Sequence, residues 1–440
     1  MSPPAAAPTR RVVPRGTVAV AGGLAALGIS SFGFLALAAR GLSTDAFAEL
    51  SVVWTVLFTL GPGLFLPLEQ EVARELAAGG AGRGVVRRAA VLSALLALLL
   101  TLVTLAATGW VRGQLLGGET GLFVAMILAN AALAVVHPSR GLLAGTGRFG
   151  RYGLQLGVDG VLRMVGAGVL VAAGVTDVTW YGGVLVVSQL VAVAVSLVGL
   201  QRAPVTADDD GRTRALAAGS VRALAAAVAL MVVGALAAQG LANLGTLLVK
   251  AWSEPGGAAG RFLTALVLAR IPLFLFAALQ ASLLPGLAEM FARHDLAGVR
   301  RAMTRLLAVL VALGGLGTLV IASFGPDIAA ILFGSDYRSE RAPLTVLSAG
   351  SGIYLVAAAV AQILLALRSR GAYAAGWLVS LVAFAAAVAL PGSLPMRVSV
   401  AFLVGSAVAL LWFALALRRA WRAHPGAATV DPLTAADVAP

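Results

Sequence analysis

VRRAAVLSALLALLLTLVTLAATG, residues 86–109, opens with two adjacent arginines, Arg87 and Arg88, and then continues to Gly109 without a charge. As a helix, that run matches the roughly 30 Å hydrocarbon core of a bilayer, which takes about 20 residues to cross. Outward from it, similar runs recur from Thr17 to Leu417. They predict spans at 17–40, 46–68, 86–109, 119–138, 153–174, 179–200, 222–247, 259–286, 305–325, 342–366, 372–391 and 397–417, twelve in all. Backbone polar groups in lipid must be satisfied within each segment, so the pattern predicts an all-α polytopic membrane protein.

Composition agrees. Sixty per cent hydrophobic residues, 12% charged residues and a mean hydropathy of +0.95 leave too little charge to cover a water-facing surface of 440 residues. A net charge of +13 would point a soluble protein toward nucleic acid, but here the basic residues cluster at the ends of apolar runs. They read as orientation signals, with no nucleic-acid partner. Lys250 is the sole lysine among 32 basic residues, and with heavy Ala and Gly usage this suggests a GC-rich bacterial source, hence the bacterial cytoplasmic membrane. No cysteine is present, which excludes disulfides, thiolate metal sites and a cysteine nucleophile.

Arg10, Arg11 and Arg15 precede the first run, whose length exceeds a signal-peptide core, so it reads as an uncleaved first helix. With the N-terminus inside, 23 arginines fall in cytoplasmic segments and seven basic residues outside, while Arg163 and Arg270 lie within spans. That bias predicts that both termini are cytoplasmic.

The halves of the chain resemble one another. LPLEQEVAR (Leu66–Arg74) closes the second span and LPGLAEMFAR (Leu284–Arg293) the eighth, each with an acid four residues after the proline. LLAGTGR (Leu142–Arg148) follows the fourth span and LLALRSR (Leu364–Arg370) the tenth, so both pairs are separated by nearly half the chain. Two matches at nearly one offset predict two pseudo-symmetric six-helix lobes. The expected organisation is a cytoplasmic segment 1–16, an N-lobe 17–200, a linker 201–221, a C-lobe 222–417 and a cytoplasmic tail 418–440.

Three stretches carry a family resemblance: RFLTALVLARIPLFLFAALQASLLPGLAEMFARHDLAGVRRAM (Arg261–Met303), FGPDIAAILFGSDYR (Phe324–Arg338) and ARGLSTDAFAELSVVW (Ala39–Trp54). They resemble Wzx-type polysaccharide flippases of the multidrug/oligosaccharidyl-lipid/polysaccharide (MOP) exporter superfamily. The resemblance implies a MATE/MOP-like fold and a polyprenyl-pyrophosphate-linked oligosaccharide as substrate. It also implies membrane lipids and polysaccharide polymerases or glycosyltransferases as partners. The peptidoglycan lipid flippases of the same superfamily carry two further C-terminal helices, so twelve spans fit the polysaccharide branch better.

Charges inside a span are the sharpest clue to a site, because inserting an arginine at mid-helix costs about 2.5–3.5 kcal/mol. Arg270 lies near the middle of the eighth span with no acid within two turns, which leaves an anion site in a cavity or a bridge to another helix. Arg163 stands four residues after Asp159, the favourable spacing for an ion pair. Two readings stay open there: a neutralised structural bridge, or an unpaired Asp159 serving as an ion-coupling site while Arg163 faces substrate. Gln239, Asn243, Thr246 and Lys250 fall on one face of the seventh span and are expected to line a wet cavity. Asn130 with His137, and Ser351 with Gln362, form shorter polar faces on the fourth and tenth spans. Glu71 with Arg74 and Glu289 with Arg293, together with Glu69, sit where helices exit toward the cytoplasm and read as gate latches or end-caps. No metal site or organic cofactor is expected, and the driving ion, proton or Na⁺, stays open.

The preferred expectation is a flippase working by alternating access, not an enzyme. An ion-coupled drug or metabolite exporter of the same superfamily is the alternative. A polymerase or ligase acting on lipid-linked sugars would need a large outer loop, whereas the longest here runs from Gly325 to Arg341.

Overall fold

The computed structural model describes residues 16–79, 82–198, 221–253, 257–271, 296–367 and 369–422. The regular structure among them is helical: α1 (Thr17–Gly41), α2 (Thr44–Leu60), α3 (Leu66–Ala77), α4 (Gly82–Ala106), α5 (Thr120–Gly145), α6 (Phe149–Ala172) and α7 (Val178–Leu197) in the first half. In the second half are α8 (Val221–Trp252), α9 (Ala258–Ala269), α10 (Leu296–Phe333), α11 (Arg341–Ala366), α12 (Arg370–Ala387) and α13 (Leu394–Arg422). Eleven described segments are long and apolar enough to cross a membrane, and α9 adds a shorter apolar helix. The rest of the predicted eighth span lies outside the described residues, as does most of the expected linker 201–221.

Two spans are longer than their apolar runs. The second runs over Thr44–Ala77 because LPLEQEVAR prolongs it beyond the predicted end at residue 68. The ninth extends to Leu296–Phe333, since Pro326 does not end the helix. Helix starts follow local chemistry: Ser43 Oγ accepts from the Ala46 N–H at 3.2 Å, and Asp177 Oδ1 from the Thr179 N–H at 2.8 Å.

The second span is interrupted at Gly61–Phe65, GPGLF, which forms a π-helical turn. Pro62 has no N–H to donate, so the regular hydrogen-bond ladder fails there and one residue is accommodated by the wider turn. Gly63 lies so close to Leu236 of α8 that a Cβ on it would stand 2.7 Å from the leucine Cδ2.

The two halves repeat one packing scheme, with spans paired in the same order. Helix α1 packs on α6 as α8 packs on α12; α5 packs on α7 as α11 on α13; α4 packs on α5 as α10 on α11. Small residues make this possible, since lipid gives helices no hydrophobic drive to associate and close van der Waals approach supplies the attraction instead. A Cβ on Gly23 would stand 2.4 Å from the Gly153 carbonyl oxygen, and one on Gly234 3.1 Å from Ala374 Cα. The fold is therefore that of a two-lobed, pseudo-symmetric helical membrane protein.

Between the lobes, α2 and its π-turn face α8 and α9, and α1 touches α10. At the arginine-poor end the Gly257 N–H donates to Asp45 Oδ1 at 2.9 Å, and the Phe47 and Tyr337 rings meet edge to face at 5.2 Å. Arg40, at the end of α1, donates through Nε to the Leu332 carbonyl at 3.2 Å and through Nη2 to the Ile331 carbonyl. Its guanidinium thereby caps the C-terminus of α10, where unpaired carbonyls concentrate negative charge.

Candidate functional site

Of the two arginines within the spans, Arg270 lies at the seam between the lobes and Arg163 is buried inside the first lobe. Arg270 ends α9, and its Nη1 donates to Asn243 Oδ1 on α8 at 2.8 Å while Nη2 donates to the Ala242 carbonyl. Its guanidinium carbon lies 5.9 Å from the centre of the Phe402 ring. It lines a crevice of about 50 Å³ with Ser31, Trp54, Phe58 and Asn243. From the first lobe, the Arg163 guanidinium carbon sits 5.9 Å from the centre of the Phe58 ring. Phe34, Trp54 and Phe58 stack in succession, with centroids 5.5 and 4.3 Å apart. Trp54 and Phe58 of this ladder thus line the crevice beside Arg270, and Phe58 also carries Arg163 over its ring.

Two buried polar atoms at the crevice have no partner among the described residues: Arg270 Nε and Ser31 Oγ. Buried donors are nearly always paired in folded proteins, so two unpaired ones in one crevice mark a place for an acceptor from outside the chain. Arg270 is the stronger of the two, since a guanidinium presents donors in a fixed fork suited to phosphate or carboxylate oxygens.

Asp159 and Arg163 are paired. Arg163 Nε and Nη2 donate to Oδ1 at 2.9 Å and Oδ2 at 2.7 Å in a bidentate bridge, and Arg140 Nη2 approaches Oδ2 at 3.4 Å. The unpaired geometry on which an ion-coupling role for Asp159 depends is not the one observed; two guanidiniums occupy the carboxylate. The i,i+4 spacing on one helix brings the partners together without help from any other element.

The polar face of the seventh span divides. Asn243 donates through Nδ2 to Gln239 Oε1 at 3.0 Å and is the residue that receives Arg270. Thr246 is fully buried, with an Oγ1 that has no described partner. Lys250 leaves this group and lines a separate pocket of about 260 Å³ with Asp45, Glu49 and Gln114 at the arginine-poor end. The expected single wet stripe is corrected accordingly: from Gln239 to Lys250 the helix climbs about three turns, and a face that long runs past more than one environment.

The remaining candidates scatter. Asn130 and Ser351 are buried within their lobes, and Asn130 Oδ1 and Ser351 Oγ have no described partner; Gln362 is half-buried. Neither Asn130 nor His137 lines the crevice: His137 turns to Glu69, with Nδ1 2.7 Å from Oε2. Glu71 and Arg74 do not latch one helix to another through their own bond, since Arg74 Nε donates to Glu71 Oε2 at 2.8 Å along a single helix. Glu289 and Arg293 lie outside the described residues. On sequence alone Glu69 reads as a latch or an end-cap, yet it is buried and bonded to two other helices. Its place shortly before the exposed Arg74 gives no sign of that burial. No cluster of three or more His, Asp or Glu residues able to hold a metal occurs among the described residues.

A two-lobed bundle of this kind, with a polar seam between the lobes, defines a multi-pass membrane protein of the MATE transporter fold. The chain superposes on the Vibrio cholerae MATE transporter VcmN with a TM-score of 0.65 at 16% identity, over 93% of this chain and 96% of that one. It superposes on an inward-facing multidrug resistance MATE family transporter of the MOP superfamily with a TM-score of 0.67 at 14% identity, over 91% and 96%. A MOP superfamily transporter from Pyrococcus furiosus gives 0.64 at 13% identity, over 92% and 94%. By sequence the chain is similar to two uncharacterized Mycobacterium tuberculosis proteins. Rv3630 is 26% identical over 412 residues, 92% of each chain, and Rv1510 is 26% identical over 437 residues, 94% of each. No protein-family model matches.

Proposed function

We propose that the protein is a flippase that carries a polyprenyl-pyrophosphate-linked oligosaccharide from the cytoplasmic to the outer leaflet, with the arginine-rich face of the bundle in the cytoplasm. The observation that supports this reading is the crevice between the lobes that Arg270 lines with Trp54 and Phe58, the Phe58 ring carrying Arg163 of the first lobe over its face. Such a substrate presents a multiply charged head, a sugar chain and a lipid tail. Arg270, with an unpaired Nε, is suited to pyrophosphate oxygens. The crevice-lining rings of Trp54 and Phe58 suit the C–H surfaces of pyranose rings, and Asn243 offers a hydrogen-bonding group beside them. A seam between lobes leaves room for the tail to remain in lipid while the head crosses.

Alternating access follows from the same seam, because the site is shared between lobes and is exposed to one side when they rock apart at that end. The test is reconstitution of the full chain in vesicles with a fluorescent polyprenyl-pyrophosphate oligosaccharide. Protein-dependent loss of fluorescence to an impermeant quencher supports the reading, and no acceleration over protein-free vesicles rejects it.

The fold likeness to multidrug resistance transporters favours a second reading, an ion-coupled exporter. It predicts ion-driven movement of small organic solutes and indifference to lipid-linked glycans. The same vesicles loaded with candidate drugs discriminate the two.

A further inference from the structure

The first lobe holds a second buried polar cluster that the crevice does not use. Glu69 on α3 is 4% exposed and sits just below the π-helical turn. It accepts from the Tyr152 O–H of α6 through Oε1 at 2.8 Å, and its Oε2 lies 2.7 Å from Nδ1 of His137 on α5. This network assigns the imidazole proton to Nδ1, donated to the carboxylate, which leaves Nε2 as the acceptor of a neutral ring. Nε2 is turned toward Gly61, where a Cβ would stand 3.5 Å away, and the ring stacks on Phe65 at 5.9 Å. Gly61 and Phe65 are the two ends of the π-helical turn.

Of the helices packed on α5, α7 carries no charge and α2 carries Asp45 and Glu49 in its first two turns, away from the π-turn. Arg140 on α5 lies 3.4 Å from Asp159 on α6, and Asp159 carries Arg163. On α3 itself Glu71 is bonded to Arg74; on α4 Arg88 meets Glu75 at 2.7 Å. The charged residues of α8 are Arg222 and Lys250 at its two ends, and the π-turn carries none. With a neutral imidazole, Glu69 and Asp159 balance Arg140 and Arg163, so a proton would add one net positive charge to a buried cluster.

We infer that His137 and Glu69 form a proton-binding site, that the proton is taken up at His137 Nε2, and that its presence sets the conformation of the π-helical turn Gly61–Phe65. Uptake forms one N–H bond at Nε2 and breaks one O–H bond of the hydronium ion that delivers the proton, leaving water, while Nδ1–H stays hydrogen-bonded to Glu69. The new cation faces a backbone whose regular hydrogen bonds are already interrupted, and it stacks on Phe65, whose π face attracts it. The turn connects directly to Trp54 and Phe58 at the crevice on one side and packs through Gly63 on α8 on the other. A change in its winding therefore moves one wall of the crevice relative to the second lobe. The use of this proton to drive transport rests on the function proposed above; the site itself does not.

The test uses the full chain in lipid nanodiscs. The sequence has three histidines, His137, His294 and His424, so nitrogen-15 histidine labelling with His294→Gln and His424→Gln assigns His137 by elimination. The expected result is a reversible one-proton transition of the His137 resonance, displaced to lower pH in Glu69→Gln, which removes the carboxylate that stabilises the imidazolium. The sequence has no cysteine, so nitroxide pairs at Ala78→Cys and Arg301→Cys report lobe separation without background. Their distance distribution is expected to change between pH 5.5 and 8.5 and to stop changing in His137→Gln. A His137 resonance fixed in one protonation state from pH 5 to 9, or a wild-type distance distribution indifferent to pH, overturns the inference. Neither measurement involves substrate. A titrating, conformationally active His137 in a protein that flips no lipid-linked glycan sustains the site and removes the proposed function, and flipping with a silent His137 does the reverse.

Discussion

Arg270 Nη1 lies 2.8 Å from Asn243 Oδ1, so the charge at the end of α9 is held against the polar face of α8 rather than left free in the seam. The bond aims the guanidinium and leaves its Nε for another acceptor. Arg270→Ala is expected to lower flipping more than tenfold while the thermal midpoint falls only slightly, because one interhelical hydrogen bond in a membrane is worth about 1 kcal/mol. Arg270→Lys restores part of the rate, as an ammonium keeps the charge but lacks the fork. Wild-type flipping by Arg270→Ala would remove the residue from the site.

Asp159 sits between two arginines, 2.7 Å from Arg163 and 3.4 Å from Arg140, and this makes the cluster asymmetric. Asp159→Ala strands the buried Arg163 and the half-buried Arg140 and is expected to destabilise by about 3–5 kcal/mol. Arg163→Ala leaves Asp159 with Arg140 and costs less. The double substitution recovers much of the loss, and a double-mutant cycle on thermal stability measures the coupling. Equal losses from the two single changes would contradict the shared carboxylate.

Arg40 ties the end of α1 to the carbonyls of Ile331 and Leu332. Outward opening of the lobes has to break this cap. Arg40→Gln is expected to raise, severalfold, the labelling rate of a cysteine placed at Ser253, which lines the pocket with Glu49 and Lys250. An unchanged rate would mean that the cap does not hold the lobes together.

Orientation is testable without substrate. In intact spheroplasts a cysteine at Ser335, exposed between α10 and α11, is expected to react with an impermeant thiol reagent. One at Thr146, exposed between α5 and α6, reacts only after permeabilisation. The opposite pattern would invert the proposed topology.

The spans were legible in the sequence because the thickness of the bilayer is a local demand, met or not met within each run of about 20 residues. The pairing of Asp159 with Arg163 was equally local, since four residues on one helix fix the distance. The π-turn, which the span reading did not anticipate, falls where Gly61, Pro62 and Gly63 stand in succession. Other relationships had no local signature. Glu69 and His137 are 68 residues apart, Arg270 and Asn243 27, and Arg40 and Leu332 292, and only the docking of whole helices brings them together. That docking depends on where glycine lets backbones touch, as at Gly23 against Gly153, and its outcome sums many weak contacts over two surfaces. Sequence therefore determined which segments enter the membrane and which charges they carry. The tertiary structure alone decided which of those charges are satisfied by a neighbour and which still lack an acceptor.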